Sequence, residues 1–454
     1  QQRLIEDIRE ENLTIEAEIE QKMFGGETQL QVGFARFVDD IVATEEESEY
    51  DPFPTLDDFG GTREFTDTTD DEWTVELTHE REIGATLVEF GVEWKEKNRD
   101  SLVAEAEISN PGDPYPAASP VDGGDTEIEE TRLDYFVQLS GEVDVLELEA
   151  GLRYETTDAD ITDRSTGITY SNEFGILLPS VHALVNLSDD DRVSMSLARS
   201  LRRPNFDQLA PTLFEEEPTE DFDLQGNPDL DPETAWGIDV GYERRLGRAG
   251  IVGVNFFFRD VSDLIELAST GVPSSSGDGF VLEPRNVGDG KVWGVEFDLS
   301  APLTFIGLPD TGVFLNYSWL DSEVKDPVTG TKRRFNDQAE FVFNVGFIHD
   351  IPAWGAAFGA SYRKQGDAFS RIAGETVATS YGADLEAFIE KRFGESFTLR
   401  LTGTNLLDSA KDETFYKWDT VADQLSGDID DLDEFELETE KAGPVFQLVG
   451  RMAF

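Results

Sequence analysis

Pro444-Val445-Phe446-Gln447-Leu448-Val449-Gly450-Arg451-Met452-Ala453-Phe454 ends the chain. Apolar or small side chains fall at every second position, Phe446, Leu448, Gly450, Met452 and Phe454, with the polar Gln447 and Arg451 between them. Successive side chains of a β-strand point to opposite faces, so this spacing describes a strand with one greasy face. One such strand cannot cover that face by itself. The rest of the chain is therefore expected to be strands of the same kind, and the pattern can be followed outward from here.

It recurs almost to the N-terminus. Residues 1–11 are charged and are expected to be irregular. Directly after them Leu13, Ile15, Ala17 and Ile19 alternate with Thr14, Glu16, Glu18 and Glu20, a polar face suited to a water-filled lumen rather than a soluble core. After Gly25-Gly26 comes a strand with Leu30, Val32 and Phe34; an acidic loop is expected next, then strands through Trp73, Val75 and Leu77 and through Val88, Phe90, Val92 and Trp94. A Pro- and Gly-rich loop over about 100–126 precedes a hairpin pairing Leu133–Leu139 with Leu146–Tyr154. Strands near 174–187 and 193–197 turn at Asp189-Asp190-Asp191, and an excursion covers 204–231. Further strands are expected near 234–246, 249–260, 291–301, 311–322, 335–349, 354–365, 379–393 and 395–406, with an acidic loop at 408–443. The total is roughly 17 strands of about 10 residues, the length a tilted membrane crossing needs. Short and long connections alternate throughout.

Composition narrows the function. With 96 Asp+Glu against 36 Lys+Arg the formal net charge is -60; nucleic acid is recognised through Lys and Arg, so it is excluded as a partner. Such acidity suits a surface that meets cations or high salt. No cysteine is present, and His79, His182 and His349 lie far apart, so neither thiolate nor histidine metal centres are expected. No apolar run reaches the ~18 residues of a membrane helix, a test that membrane strands escape. There is no Gly-rich phosphate loop, no histidine pair and no nucleophile beside a histidine, so an enzyme is not expected. A barrel lipase or protease is disfavoured by the size.

A terminal strand ending on phenylalanine resembles the closing strand and assembly signal of bacterial outer-membrane β-barrels, with Phe446, Leu448, Gly450, Met452 and Phe454 as the signal and Gly450 one place late. Trp73, Trp94, Trp236, Trp293, Trp319 and Trp354, near strand ends, fit interfacial girdles. The run Ser196-Leu197-Ala198-Arg199-Ser200-Leu201-Arg202-Arg203-Pro204-Asn205-Phe206, followed by Gly226-Asn227-Pro228-Asp229-Leu230-Asp231-Pro232-Glu233-Thr234-Ala235-Trp236, resembles the strand-and-loop signature of TonB-dependent outer-membrane receptors. So do Asn286-Val287-Gly288 with Trp293-Gly294-Val295-Glu296, Tyr317-Ser318-Trp319-Leu320-Asp321 and Asn405-Leu406-Leu407-Asp408, which together cover about residues 190–454 in the family's order. Proline stops strand pairing and Asn and Asp stabilise turns, so the first reading of these motifs is structural.

The resemblance implies an all-β, large antiparallel transmembrane barrel over 1–454, with about 17 strands of a full 22. In bacterial barrels short turns are periplasmic and strand number is even; here first and last strands run the same way, so an odd number of strands is expected upstream, together with a plug domain and a cleaved signal peptide. The implied function is active uptake of a scarce solute such as a ferric siderophore, energised by the TonB-ExbB-ExbD complex, in the outer membrane of a Gram-negative bacterium. Outer-membrane lipid, lipopolysaccharide and the barrel assembly machinery are the implied partners. The alternative is a passive cation-preferring porin. Arg202 and Arg203, at the outward end of their strand, are candidates to receive an anionic ligand or lipopolysaccharide phosphate, or else to pair with carboxylates such as Glu215-Glu216-Glu217. Glu45-Glu46-Glu47, Asp70-Asp71 and 428–434 offer carboxylates of the kind bound calcium takes, without the spacing of a defined calcium loop; no other cofactor is expected.

Overall fold

The computed structural model of the protein describes residues 2–50, 53–214, 222–247, 249–275, 279–394, 396–418 and 420–452. Long antiparallel strands dominate it: β1 (Gln2–Met23), β2 (Gly26–Tyr50), β3 (Leu56–Ile83), β4 (Thr86–Ile108), β5 (Ser119–Val143), β6 (Leu146–Asp163), β7 (Ile168–Asn186) and β8 (Asp191–Arg202). After the excursion come β9 (Glu233–Leu246), β10 (Gly250–Pro273), β11 (Phe280–Leu303), β12 (Leu308–Lys325), β13 (Phe341–Ile351), β14 (Ala356–Gln365), β15 (Asp384–Phe393), β16 (Phe397–Thr404) and β17 (Val445–Met452). Each pairs with the next in one meander. Three short strands complete a 20-stranded sheet. Among the described residues no ladder joins β1 to β17, and after an odd number of strands the two run in the same direction.

The two faces differ in kind. On one, large apolar side chains stand exposed in alternation: Leu13, Ile15 and Ile19; Leu148, Leu152 and Tyr154; Phe446, Leu448 and Met452. An apolar face this wide is stable only against an apolar solvent, which makes it the lipid face. Aromatic side chains mark its margins. Phe24, Phe305 and Trp354 lie at the short turns and are more than two-thirds exposed, and Trp73, Trp236 and Trp319 stand near the other margin. Trp73 is ten residues from Ile83, the end of β3, the length a tilted crossing needs. The opposite, lumen face carries the polar residues, and the hydrophobic core, Ile128, Ile161, Phe206, Leu209, Leu230 and Ile265, lies on that side beyond the membrane belt. Among the described residues no helix is long and apolar enough to cross a membrane.

The strand count, the alternation and the common direction of the first and last strands match the sequence reading; several boundaries do not. Residues 1–11, expected to be irregular, belong to β1 from Gln2 onward, and the acidic segment expected as a loop forms the outer halves of β2 and β3. There the acids are interspersed with Phe37, Val38, Ile41, Val42 and Phe65, which favour extended backbone. Cross-strand pairs, Arg9 with Asp40 at 3.4 Å and Arg36 with Asp71, offset part of the repulsion. Beyond the membrane both faces meet water, so polarity does not oppose pairing. For the same reason the expected loop at 100–126 shrinks to 109–118. The expected strand 379–393 is two elements, since 375–381 turns away into a separate four-stranded sheet with 368–372, 411–417 and 434–440.

Candidate functional site

Because β3 continues seventeen residues outward from Trp73 to Leu56, the wall rises above the membrane belt and borders a vestibule on its lumen side. The excursion between β8 and β9 folds back onto its lumen side. Pro204 stops the ladder and Asn205 starts a one-turn helix, α1 (Phe206–Leu209), by accepting from the Gln208 amide at 2.7 Å while Gln208 Oε1 accepts from the Asn205 amide at 3.0 Å, a reciprocal cap. This places Phe206 and Leu209 against the fully buried Ile128 and Ile161. Lys97 Nζ lies 4.4 Å above the Phe206 ring, and Arg99 joins Asp207 to Asp70.

The second half of the excursion is a clasp made by its motif residues. At Gly226 a Cβ would sit 1.8 Å from the Ala210 carbonyl oxygen, so only glycine fits. Asn227 donates its amide to Gln208 O at 2.7 Å and its Nδ2 to Pro284 O at 3.0 Å. Asn286 donates to Asp231 O at 2.9 Å and Asp263 O at 2.8 Å, and accepts from the Asp231 amide at 3.0 Å. The buried Glu233 accepts from the Ile265 amide at 2.7 Å. These bonds fasten the excursion to β10 and β11. Asn405, with φ of 50°, likewise holds the turn out of β16 through Gly443 O and the Ser409 amide.

Arg202 bonds Glu233 at 3.2 Å, and Arg203 pairs with the buried Glu155 of β6. Burial, reinforced by the neighbouring Arg132, pushes the Arg203 guanidinium down to about 10, which leaves it charged at neutral pH. Both arginines therefore hold the base of the excursion through wall carboxylates; Glu215-Glu216-Glu217 lie outside the described residues. Glu45, Glu46 and Glu47 follow one another along β2, so successive side chains point to opposite faces, and Glu46 meets Arg3 at 3.6 Å. Asp70 and Asp71 pair separately with Arg99 and Arg36. Among the described residues no group of three or more His, Asp or Glu is placed to hold a metal ion. Phe446, Leu448, Gly450 and Met452 lie along β17, with Leu448 opposite Leu401 of β16; Phe454 lies outside the described residues.

Two features escaped the sequence. The loops after β14 and β16 combine into the separate four-stranded sheet, a cap joined to the connection between β12 and β13 at Asp326 and through the Asn336 side chain, which exchanges bonds with the Arg371 backbone. The Asp326 carboxylate is fully buried and accepts from the amides of Val328 and Thr329 at 2.7 and 3.0 Å, from Arg333 Nε at 3.0 Å and from Arg371 at 3.1 Å. Burial alone would raise its pKa; the two amides and the arginines outweigh that and hold it below the usual carboxylate range. Arg333 also reaches Glu266 of β10 at 2.7 Å. The second feature is a row of directly opposed carboxylates on the lumen face, Glu76, Glu93, Asp134 and Glu155 on β3 to β6. Residues this far apart in sequence give no local signal.

A continuous antiparallel wall with a lipid face, a polar lumen and an inward-folded, motif-bound excursion defines the class as a membrane-barrel wall. The comparisons give the family: residues 12–406 match the family described as TonB dependent receptor-like, beta-barrel, and the chain belongs to it. Among solved structures, the ferric-catecholate import receptor Fiu from E. coli K12 in its closed form superimposes with a TM-score of 0.67 at 14% identity, over 99% of this chain and 64% of that one. The copper transporter OprC gives 0.63 at 14% identity, over 94% and 66%. The unliganded ferric citrate transporter FecA gives 0.61 at 11%, over 94% and 62%. At these identities the likeness shows the fold. The chain spans under two thirds of the length of each of these proteins. No curated protein matches the sequence.

Proposed function

We propose that this chain is the barrel wall of a Gram-negative outer-membrane receptor that takes up a scarce solute, a ferric siderophore or a similar chelate, energised through TonB. The observation that carries the reading is the clasped excursion: the segments that resemble the family's motifs, 226–236, 286–296 and 405–408, contain the side chains that hold the loops around the vestibule. A wall raised above the membrane, with loops fixed in place, suits capture of a solute from outside. Antiparallel closure requires a strand of opposite direction between β17 and β1, so we assign an odd number of further strands, and a plug in the lumen, to polypeptide outside these strands.

The test is iron accumulation from ferric chelates by cells that make the full-length protein, with and without a functional TonB. Uptake that depends on both supports the reading. Uptake that is independent of TonB, together with a large steady conductance in planar bilayers, would replace it with a passive porin.

A further inference from the structure

We propose that the strand of the same polypeptide which closes the wall against β17 continues outward past the membrane and pairs with the free edge of the cap strand Glu434–Glu440; the proposal deepens the closure assigned above and rests on it. The register carries it furthest. The four cap strands continue β14 to β17 outward, in the same order. In the wall Arg363 of β14 faces Asp384 of β15, and in the cap Ala368 faces Thr379, five residues on in one strand and five back in the other. Thr404 of β16 faces Val445 of β17, and Lys411 faces Glu440, seven on and five back. Glu375–Tyr381 pairs with Lys411–Lys417 as β15 does with β16. Both hairpins therefore run on through their breaks, the first in unbroken register and the second with a shift of two residues. Glu434–Glu440 is the upper part of the edge whose lower part is β17, and like β17 it has one neighbour among the described residues.

The two edges that flank the gap both expose apolar side chains above the lipid. Ile15 of β1 faces Phe34, and Phe34 faces Trp73 at the outer margin, so Leu4, Ile5 and Ile8 lie beyond the membrane belt, where each is about half exposed. Across the gap Phe435 is 59% and Leu437 63% exposed. Lipid covers neither group at that height. A row of unpaired amides and carbonyls flanked by apolar side chains is where another strand adds. The ladder from Glu434–Glu440 to Lys411–Lys417 has no bulge and no proline, two of the devices that keep a free edge from pairing. The acids at its ends are drawn to the inner neighbour, Glu434 to Lys417 at 3.0 Å and Glu440 to Lys411 at 3.9 Å.

Direction identifies the occupant. β17 runs inward, so the strand that closes against it runs outward and emerges beside Val445, with four residues between that point and Glu440. Glu434–Glu440 leads down toward β17, so the same emerging strand meets it antiparallel and needs no turn. Covering 434–452 takes 19 residues, where a bare crossing takes about 10. On the far side of the gap β1 already has that height, with 22 residues.

The experiment is photocrosslinking in outer membranes that hold the full-length protein, with Leu437→benzoylphenylalanine and, separately, Val449→benzoylphenylalanine in β17, followed by peptide mapping. From position 437 the crosslink is expected within a single copy, to a peptide outside residues 1–454. Native-state hydrogen exchange of the unaltered protein is expected to find every amide of 434–440 slow, whereas a free edge leaves every second one exchanging at the unprotected rate. Crosslinks from 437 that join two copies, reach another protein, fall only within 1–454 or do not form overturn the proposal, as does fast exchange at alternate amides. In that case a crosslink from Val449 to a peptide outside 1–454 leaves the closure reading standing, and failure at both positions overturns both.

Discussion

Asp326→Asn should loosen the four-stranded cap while leaving the barrel wall folded. The side chain is fully buried and accepts four bonds, two from backbone amides and two from arginines. Asparagine keeps the shape and can still accept from the amides, but it removes the charge that Arg333 and Arg371 face. Arg333 retains Glu266; Arg371 pairs with no second carboxylate among the described residues, though its backbone keeps two bonds to the Asn336 side chain, at 3.0 and 3.2 Å. Removing one partner of a buried pair costs about 3–5 kcal/mol, and retention of the amide bonds argues for the lower end. At about 1.4 kcal/mol per factor of ten, amide protection in 368–381 and 411–440 should fall by about 100-fold in native-state hydrogen exchange. Protection in β3 to β6 should not change. Loss spread evenly over the wall, or none in the cap, would refute the idea that Asp326 is a local junction.

The same residue sets a pH limit with a definite sign. Its carboxyl is held below the usual range in the folded protein, so the native state binds its proton less tightly than the unfolded chain does. The stability it contributes is fully present above the ordinary carboxylate value of about 3.9 and is lost as pH falls through the depressed one. Cap protection factors in the unaltered protein, corrected for the intrinsic pH dependence of amide exchange, should therefore stay flat from pH 8 to about pH 5 and fall only in more acidic solution.

Three further outcomes follow from the contacts. Asn286→Ala removes two bonds from β11 to the excursion and one from β11 to β10, worth about 2–3 kcal/mol together, and should open 203–214 and 222–232 to limited proteolysis while β1 to β7 stay intact. Arg203→Ala strands the buried Glu155 and should cost about 3–5 kcal/mol in a denaturant titration, whereas the double change Arg203→Met with Glu155→Leu should recover most of it. Leu448→Arg, on the lipid face of β17 where Leu448 is 65% exposed, should weaken folding into lipid vesicles by about 2–4 kcal/mol. Gln447→Arg, one residue away and facing the lumen, should change it little, and equal effects at both positions would contradict the assignment of faces.

How far the sequence could be read depended on the range of the physics involved. Alternation is local, so the wall was legible: the seventeen long strands, the hairpin pairing Leu133–Leu139 with Leu146–Tyr154 and the parity of the two edges all follow from residues two apart or across one turn. Boundaries failed beyond the membrane belt, because there the lipid no longer enforces an apolar face. A strand such as 35–50, with acids on both sides, then carries the composition of a loop. The site was less legible. Motif residues such as Asn227 and Asn286 drew attention in sequence, but their role depends on carbonyls of Pro284 and Asp263 that no spacing predicts. Arg203 reads in sequence as a candidate for an anionic ligand or for loop carboxylates, because its partner, Glu155, lies 48 residues away on a strand that only the meander brings alongside. The carboxylate row is the extreme case. Its members occupy unremarkable positions in four separate strands, and only the register places them opposite one another. In an acidic chain like this one, composition reports that repulsion exists, and register decides where it is retained.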